Sequence, residues 1–314
     1  MQNAEFDFII IGAGPAGLTA GIYLSRARMR TLIIDKGIAG GQMVLSHEIA
    51  NYPGYDNIPG YQLGDSMRKQ AGQFGCKIIQ NTKIKSISPA GGTKRVYLED
   101  GTVYTSKVLI LATGGRAREL NVEGEEDFKG RGISYCATCD GDFFTGKDVI
   151  VVGGGNSALE EAVALTKYAA SVTVVHQFDD FQAFPSAVEE AAMNPKINFI
   201  LNASIDGFYG DERLREVRIK YLKSGKVERK TIDGVFVLIG YVPNSELFEG
   251  FVSLSGKGEI ITDEKLMTSV PGVFAAGDVR KKDIRQITTA VSDGTLAAIN
   301  GMEYLGSAEK RSNA

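Results

Sequence analysis

The chain has 314 residues, enough for about two domains with buried cores. Its 35 Lys and Arg residues stand against 38 Asp and Glu residues, and a net charge of −3 gives no support to a nucleic-acid-binding role. No apolar run approaches the roughly 18 residues that a membrane helix needs, so we expect neither nucleic acid nor a membrane as a partner.

The amino-terminal apolar stretch and the number of cysteines indicate the cellular compartment of the protein. Glu5 and Asp7 stand where the basic region of a signal peptide belongs, and glycines interrupt the stretch. The three cysteines are too few for the disulfide framework of a small secreted domain and fit a reducing compartment. We therefore expect a cytoplasmic protein.

The first predicted elements are two strands joined through a glycine-rich loop and a helix. The apolar run Phe6–Ile11 leads into Gly12–Gly17, a helix is predicted to about residue 28, and Thr31–Ile34 forms the next strand. Asp35 ends that strand, 23 residues after the first glycine. This is the fingerprint of a dinucleotide site, in which loop N–H groups and a helix N-terminus bind pyrophosphate and the acid accepts ribose hydroxyls. FAD and NAD both fit it.

The residues that follow favour β structure. Alternating segments occur at Cys76–Ser88 and Arg95–Leu98, with a hairpin-like turn at Glu99–Gly101 and a strand at Val108–Thr113. We predict that these strands are inserted in a doubly wound domain.

The strand–loop–helix–strand unit then recurs. Asp148–Val152 runs into Gly153–Ala158, a helix continues to about residue 168, and Ser171–Val175 forms the next strand. His176 lies at the position that Asp35 holds in the first unit. The second unit therefore lacks the acid that recognises a ribose.

The remaining strand candidates complete a prediction of the domain organisation. They are Ile197–Leu201, Glu216–Tyr221, Gly234–Ile239 and Gly272–Asp278. We predict an α/β protein with two Rossmann-like dinucleotide-binding domains, the first discontinuous at 1–117 and 246–314 and the second inserted at 118–245.

Two cysteines separated by two residues, Cys136 and Cys139, are close enough to cycle through a disulfide, and Asp140 is a candidate proton donor or acceptor. A zinc site is an alternative, but only Cys76, His47 and His176 remain as further Cys or His ligands. An inert buried pair is the other alternative.

Together these motifs resemble the low-molecular-weight thioredoxin reductases. The segments that carry the resemblance are Gly12–Gly17, Gly40–Gln42, Asn51–Gly54, Cys136–Gly141, Gly153–Ala158, Gly240–Asn244, Gly277–Val279 and Arg285–Gln286. The resemblance spans almost the whole chain, and the cysteine motif just before a second glycine loop is its most specific part.

The resemblance implies a homodimer with FAD in the first unit and roles for particular residues. Cys139 would face the flavin, Cys136 would attack the disulfide of thioredoxin, and Asp140 would be the acid. The implied cofactor-binding residues are Gly12, Gly14, Pro15, Ala16, Gly17, Asp35, Lys36, Gly41, Gln42, Asn51, Ala112, Gly114, Gly277, Asp278, Arg285, Gln286 and Ile287.

One segment departs from the family pattern. Such reductases follow the second-unit strand with His-Arg-Arg and a further Arg, which bind the 2′-phosphate of NADPH, but His176–Ala183 here contains no Arg or Lys and two Asp residues. Losing three charge-assisted contacts should weaken NADPH binding by orders of magnitude. NADH stays an alternative if Asp179 or Asp180 reaches the ribose.

The departure is similar to the ferredoxin-dependent flavin thioredoxin reductases, a branch of the family that has lost pyridine-nucleotide recognition. This resemblance implies that reduced ferredoxin, rather than a nicotinamide, supplies electrons to FAD. Because ferredoxins are acidic, Arg280–Lys282 is a candidate docking patch, with a solvated charged loop as the alternative. A hypothesis of another class is a non-catalytic flavin-binding redox sensor.

Overall fold

The computed structural model describes residues 4–46 and 48–312. The chain divides into two compact units, 1–116 with 242–314, and 117–241. The predicted second boundary, between residues 245 and 246, lies four residues beyond the point at which the chain re-enters the first unit.

The strands are β1 (Ala4–Ile11), β2 (Thr31–Ile34), β3 (Lys77–Ile79), β4 (Ile84–Ala90), β5 (Thr93–Leu98), β6 (Val103–Leu111), β7 (Gly115–Ala117), β8 (Ile133–Ser134), β9 (Asp148–Val152), β10 (Ser171–Val175), β11 (Ile197–Ile200), β12 (Ala203–Gly210), β13 (Leu214–Tyr221), β14 (Val227–Thr231), β15 (Gly234–Val237), β16 (Tyr241–Pro243) and β17 (Val273–Ala275). The helices are α1 (Pro15–Arg26), α2 (Gly60–Gln73), α3 (Glu125–Phe128), α4 (Ala137–Asp140), α5 (Asn156–Leu165), α6 (Pro185–Met193) and α7 (Ile287–Ser312). Among the described residues, no helix combines the length and the apolar character needed to cross a membrane.

The first unit is built on a seven-stranded sheet. Its order is β3-β2-β1-β6-β5-β4, with β17 also paired to β6. Strands β3, β2, β1, β6 and β17 are parallel, whereas β4 and β5 are antiparallel additions. Side chains of β1 and β6 such as Ile9, Ile10 and Leu109 are fully buried, which explains the continuous apolar runs of these strands.

The second unit repeats this arrangement on a smaller scale. Its five strands β11-β10-β9-β15-β8 are all parallel, and α5 connects β9 to β10 as α1 connects β1 to β2. An antiparallel sheet, β12-β13-β14, is added to it. The predicted class, α/β with two Rossmann-like units, is therefore confirmed.

Candidate active site

The loop between β1 and α1 brings the backbone of three chain segments together. Gly12 has φ +107°, and a Cβ there would lie 2.2 Å from the carbonyl oxygen of Ala112, at the end of β6. A Cβ at Gly17 would lie 1.9 Å from the carbonyl oxygen of Gly12, so α1 packs directly on the loop. These two glycines are required by the fold itself.

Gly14, in the same loop, is different because its neighbours leave space. It is the N-cap of α1, and Pro15 is the first helical residue. A Cβ at Gly14 would have as its nearest described neighbour the Cα of Gly41, 3.9 Å away. The first N–H groups of a helix lack intrahelical partners, so this open cradle at the start of α1 suits a pyrophosphate.

Asp35 holds this loop in place. Its two carboxylate oxygens accept hydrogen bonds from the N–H groups of Ala13, at 2.5 Å, and Gly37, at 2.7 Å. The predicted role was acceptance of ribose hydroxyls; the structure adds a bond to the glycine loop that the sequence did not suggest.

Other predicted cofactor residues from distant parts of the chain meet in the first unit. Asn51 donates a hydrogen bond through Nδ2 to Oε1 of Gln286, at 3.3 Å, next to the start of α7. A Cβ at Gly277 would lie 2.9 Å from the Cβ of Ala16, which places the end of β17 beside the start of α1. The structure thus brings together two pairs that the sequence separates by more than 200 residues.

The remaining predicted cofactor residues differ in burial and in hydrogen-bond partners. Burial raises the pKa of Asp278, with Lys282 and Arg285 opposing. Arg285 donates a hydrogen bond to Glu259, and Lys36 is exposed. Gln42 is exposed in a short 3₁₀ helix, Gly114 directly precedes β7, and Ile287 begins α7.

The two cysteines of the second unit form a disulfide between Cys136 and Cys139, whose Cα atoms are 5.3 Å apart. Cys136 is the N-cap of α4 and Cys139 lies within it. Asp140 ends that helix, half-buried, and accepts a 2.6 Å hydrogen bond from Oγ of Ser134. Burial raises the pKa of Asp140, while Ser134 opposes the rise. A carboxyl group that keeps its proton to higher pH is suited to donate it beside a dithiol.

Two residues near this pair carried no signal in the sequence. Ser134 Oγ accepts a hydrogen bond from the Cys136 N–H at 3.1 Å, and Glu161 Oε2 accepts one from the Ala137 N–H at 2.7 Å. Ser134 ends a two-residue strand and Glu161 lies within α5. Only the packing of β8 and α5 against α4 places them here.

The second glycine loop has the backbone architecture of the first but different side chains. The Gln182 N–H donates to the carbonyl oxygen of Gly154 at 2.7 Å, as the Gly40 N–H donates to Ala13 at 2.7 Å. The imidazole of His176 lies on Gly154, where a Cβ would be 2.4 Å from the ring.

His176 is 5% exposed and stacks on Phe181. Its Nε2 lies 3.2 Å from the carbonyl oxygen of Asp180, and burial lowers its pKa, so the ring is neutral at pH 7. In the second unit, a neutral imidazole therefore stands at the position where the first unit has the carboxylate of Asp35.

Of the two acidic residues after His176, Asp179 is engaged elsewhere, whereas Asp180 is exposed. Asp179 accepts a hydrogen bond from Asn202 at 2.9 Å and another from Lys223, and these contacts lower its pKa. Asn156, at the start of α5, accepts a hydrogen bond from the Phe184 N–H at 2.6 Å. Both polar groups are thus used within the unit.

Comparisons with known proteins agree with this geometry. The family model described as pyridine nucleotide-disulphide oxidoreductase matches residues 6–294. The chain belongs to this family. A thioredoxin reductase of Peptoclostridium acidaminophilum is 43% identical over 312 residues, covering 97% of this chain and 98% of the relative.

Two further comparisons have similar coverage. The 34.2 kDa protein in rubredoxin operon of Clostridium pasteurianum is 43% identical over 305 residues, covering 97% of this chain and 99% of that protein. The crystal structure of a thioredoxin reductase from Streptococcus pyogenes MGAS5005 superimposes with a TM-score of 0.93 at 42% identity, covering 98% of this chain and 100% of that chain.

This member of the pyridine nucleotide-disulphide oxidoreductases is an FAD-dependent flavoprotein disulfide oxidoreductase of the thioredoxin reductase type. The open cradle at Gly14, uncapped by any side chain and lined by the Gly41 backbone, fits the dinucleotide. Among the described residues, no group of three or more His, Cys, Asp or Glu side chains is arranged to hold a metal, and His47 lies outside the described residues.

The prediction that Arg280–Lys282 forms a basic docking patch on the surface of this oxidoreductase is wrong. Arg280 and Lys282 turn inward onto the buried carboxylate of Asp293, with contacts of 2.8 and 3.0 Å. Their side chains are only 20% and 8% exposed. Lys281 alone of the three is exposed, beside a cleft of about 460 Å³ also lined by Lys257 and Arg285.

Proposed function

We propose that this chain reduces the disulfide of thioredoxin with electrons from reduced ferredoxin, through FAD and the Cys136–Cys139 pair. The relatives of this chain that are named thioredoxin reductase support thioredoxin as the electron acceptor. The homodimer and the cytoplasmic location implied by the sequence are part of the same proposal.

The second glycine loop is the observation that carries the choice of donor. A neutral His176 occupies the acid position, and Asp179 is bound to Lys223 and Asn202. No cationic side chain lies between residues 176 and 184. This segment therefore supplies neither the cations with which the family binds a 2′-phosphate nor a carboxylate at the position that recognises a ribose.

We further propose that the first unit holds FAD. The Gly12–Gly17 loop and the α1 N-terminus would bind the pyrophosphate, and Asp35 the adenosine ribose. Asn51, Asp278 and Gln286 would contact the flavin half of FAD. The other cofactor residues predicted from the sequence would also contact FAD. When bound, FAD would supply a group that can take up single electrons and deliver two together.

The residues of the second unit supply the thiol chemistry. The disulfide accepts two electrons, the S–S bond breaks, and two protons complete the two thiols; Asp140 would supply one of them. Cys136 then loses its proton and its thiolate attacks the thioredoxin disulfide to form a mixed disulfide. Cys139 resolves that bond, so the Cys136–Cys139 disulfide forms again and thioredoxin leaves as a dithiol with both electrons and two protons. Plant-type ferredoxins have reduction potentials of about −400 mV, and that of thioredoxin is about −270 mV. The transfer of two electrons between them therefore releases roughly 6 kcal/mol.

Anaerobic mixing of the purified flavoprotein with reduced ferredoxin, NADPH or NADH tests the donor. We expect rapid bleaching of the flavin absorbance with ferredoxin and none with either nicotinamide, with dithionite marking full reduction. Rapid bleaching by NADPH or NADH would overturn the donor assignment.

NADH is the second candidate because the Gly153–Ala158 loop and α5 keep the backbone of a dinucleotide site. Bleaching by NADH alone would select it. The hypothesis of a non-catalytic sensor predicts no steady-state reduction of thioredoxin with any donor, so sustained turnover would eliminate it.

A further inference from the structure

Ser134, the last residue of β8, lies between the backbone of Cys136 and the carboxyl group of Asp140. Its Oγ is 2.6 Å from Oδ2 of Asp140 and 3.2 Å from the carbonyl oxygen of Cys136, and it accepts the Cys136 N–H at 3.1 Å. Ser134 is buried, and parallel pairing with β15 fixes its strand. One buried hydroxyl group therefore contacts both Cys136 and the predicted acid.

This hydroxyl group has one hydrogen and two acceptors within reach. A serine hydroxyl donates one hydrogen bond and accepts up to two. Because Oδ2 of Asp140 and the carbonyl oxygen of Cys136 both lie within hydrogen-bond distance of Oγ, the hydroxyl hydrogen is directed to one of them at a time. The N–H of Cys136 donates to Oγ in either case.

The two directions of the hydroxyl hydrogen match the two protonation states of Asp140. An ionised Asp140 only accepts hydrogen bonds, so the Ser134 hydroxyl donates to Oδ2. A protonated Asp140 is itself a donor, so it donates to Oγ, and the hydroxyl hydrogen turns to the carbonyl oxygen of Cys136. The half-buried carboxyl group of Asp140 thus keeps a partner in both states.

The charged groups around this segment oppose ionisation of Asp140. Burial raises the pKa of Asp140, the Ser134 hydrogen bond lowers it, and the negative charge of Asp142 adds to the rise. On α5, which packs against α4, Glu161 accepts the Ala137 N–H and Glu160 is exposed. The hydrogen bond from Ser134 therefore favours the carboxylate of Asp140 against burial and acidic surroundings.

We propose that Ser134 is a positioning residue for Asp140: by turning its one hydroxyl hydrogen between Asp140 and Cys136, it lets the acid lose and regain a proton without losing its hydrogen-bond partner. Ser134 itself neither gains nor loses a proton. The inference rests on the proposed function for its catalytic meaning, since Asp140 would supply a proton to the dithiol and recover it in each cycle. The exchange of hydrogen bonds depends on neither ferredoxin nor thioredoxin.

Infrared difference spectroscopy of the oxidised holoenzyme tests this inference, with the spectrum of Asp140→Asn subtracted to isolate the carboxyl C=O band of Asp140. The intensity of that band against pH gives the midpoint of the Asp140 titration. We expect Ser134→Ala to raise the midpoint by about one pH unit, because the carboxylate loses a charge-assisted hydrogen bond. The band should also move to higher frequency, because the protonated acid loses Oγ as its acceptor.

Tyr135→Phe is the matched control, because it removes a hydroxyl group from the adjacent residue. That hydroxyl group donates to Glu125 at 2.9 Å, so the midpoint and the band of this variant should stay with those of the parent. Circular dichroism and FAD absorbance check that each variant is folded and loaded.

The inference is overturned if Ser134→Ala leaves the midpoint unchanged or lowers it, if the band does not move, or if Tyr135→Phe has the same effects. Because the spectra require no electron donor or acceptor, their outcome is separate from that of the flavin-bleaching experiment.

Discussion

Asp293 on α7 is a single carboxylate on which several groups of the first unit converge. It accepts hydrogen bonds from the Gly277 N–H, from Arg280 and from Lys282, and its side chain is only 5% exposed. Burial acts to raise its pKa, but the hydrogen bonds from Arg280 and Lys282 outweigh burial and lower it. A basic run that looks like a surface in the sequence is thus an internal ion-pair network.

Replacing Asp293 with Asn should destabilise the first unit by about 3–5 kcal/mol, because Arg280 loses its buried counter-charge and Lys282 keeps only the more distant carboxylate of Asp278, at 3.9 Å. Urea unfolding monitored by bound flavin measures the change. The contribution of Asp293 should be complete above about pH 4, where the unfolded carboxyl is ionised, and be lost as the pH falls further.

Asp283→Asn is the control, because Asp283 is exposed and lies in the loop that carries Arg280 and Lys282. This variant should change the free energy of unfolding by less than about 0.5 kcal/mol. Equal stability of the Asp293 and Asp283 variants would show that the network contributes nothing measurable.

At the scale of elements, two glycines at the start of α1, the N-cap Gly14 and Gly17 in the first turn, have different reasons to be glycine. Gly17 faces the backbone of Gly12, whereas Gly14 faces open space next to Gly41. The first requirement belongs to the packing of α1 on β1, and the second to the ligand that we propose for the cradle.

The two positions give a matched pair of variants. Gly14→Ala should fold with near-normal stability and bind FAD at least tenfold more weakly, because its Cβ has room in the protein but enters the space of the pyrophosphate. Gly17→Ala should lower stability itself, since its Cβ would lie 1.9 Å from a backbone oxygen. Circular dichroism and FAD titration of the apoprotein separate the two effects; undiminished FAD affinity in Gly14→Ala would place the pyrophosphate elsewhere.

For the whole molecule, the dinucleotide cradle lies in one unit and the cysteine pair in the other. The two functions should therefore separate in variants. This division suits an enzyme in which cofactor binding and disulfide chemistry depend on different cores.

Cys136→Ser and Cys139→Ser should each abolish steady-state thioredoxin reduction yet retain FAD and its bleaching by reduced ferredoxin, because the cysteines and the first glycine loop belong to different compact units. Absorbance spectra and insulin-coupled turnover measure the two properties. Retained turnover in either variant would remove the cysteine pair from the mechanism.

Much of this molecule follows from local sequence. Apolar runs such as Phe6–Ile11 and Asp148–Val152 end in glycine loops, and burial on both sheet faces requires this pattern. The class with two Rossmann-like units, the cysteine pair and the loss of cations after His176 could all be read from residues within a few positions of one another.

The tertiary structure alone decided which distant groups meet. Arg280 and Lys282 reach Asp293, Asn51 reaches Gln286, and Glu161 reaches the amide beside Cys136. Strand register and helix packing set these contacts, and no local spacing encodes them. Composition therefore shows which charges this protein carries, whereas the fold determines which of them solvent or a partner encounters.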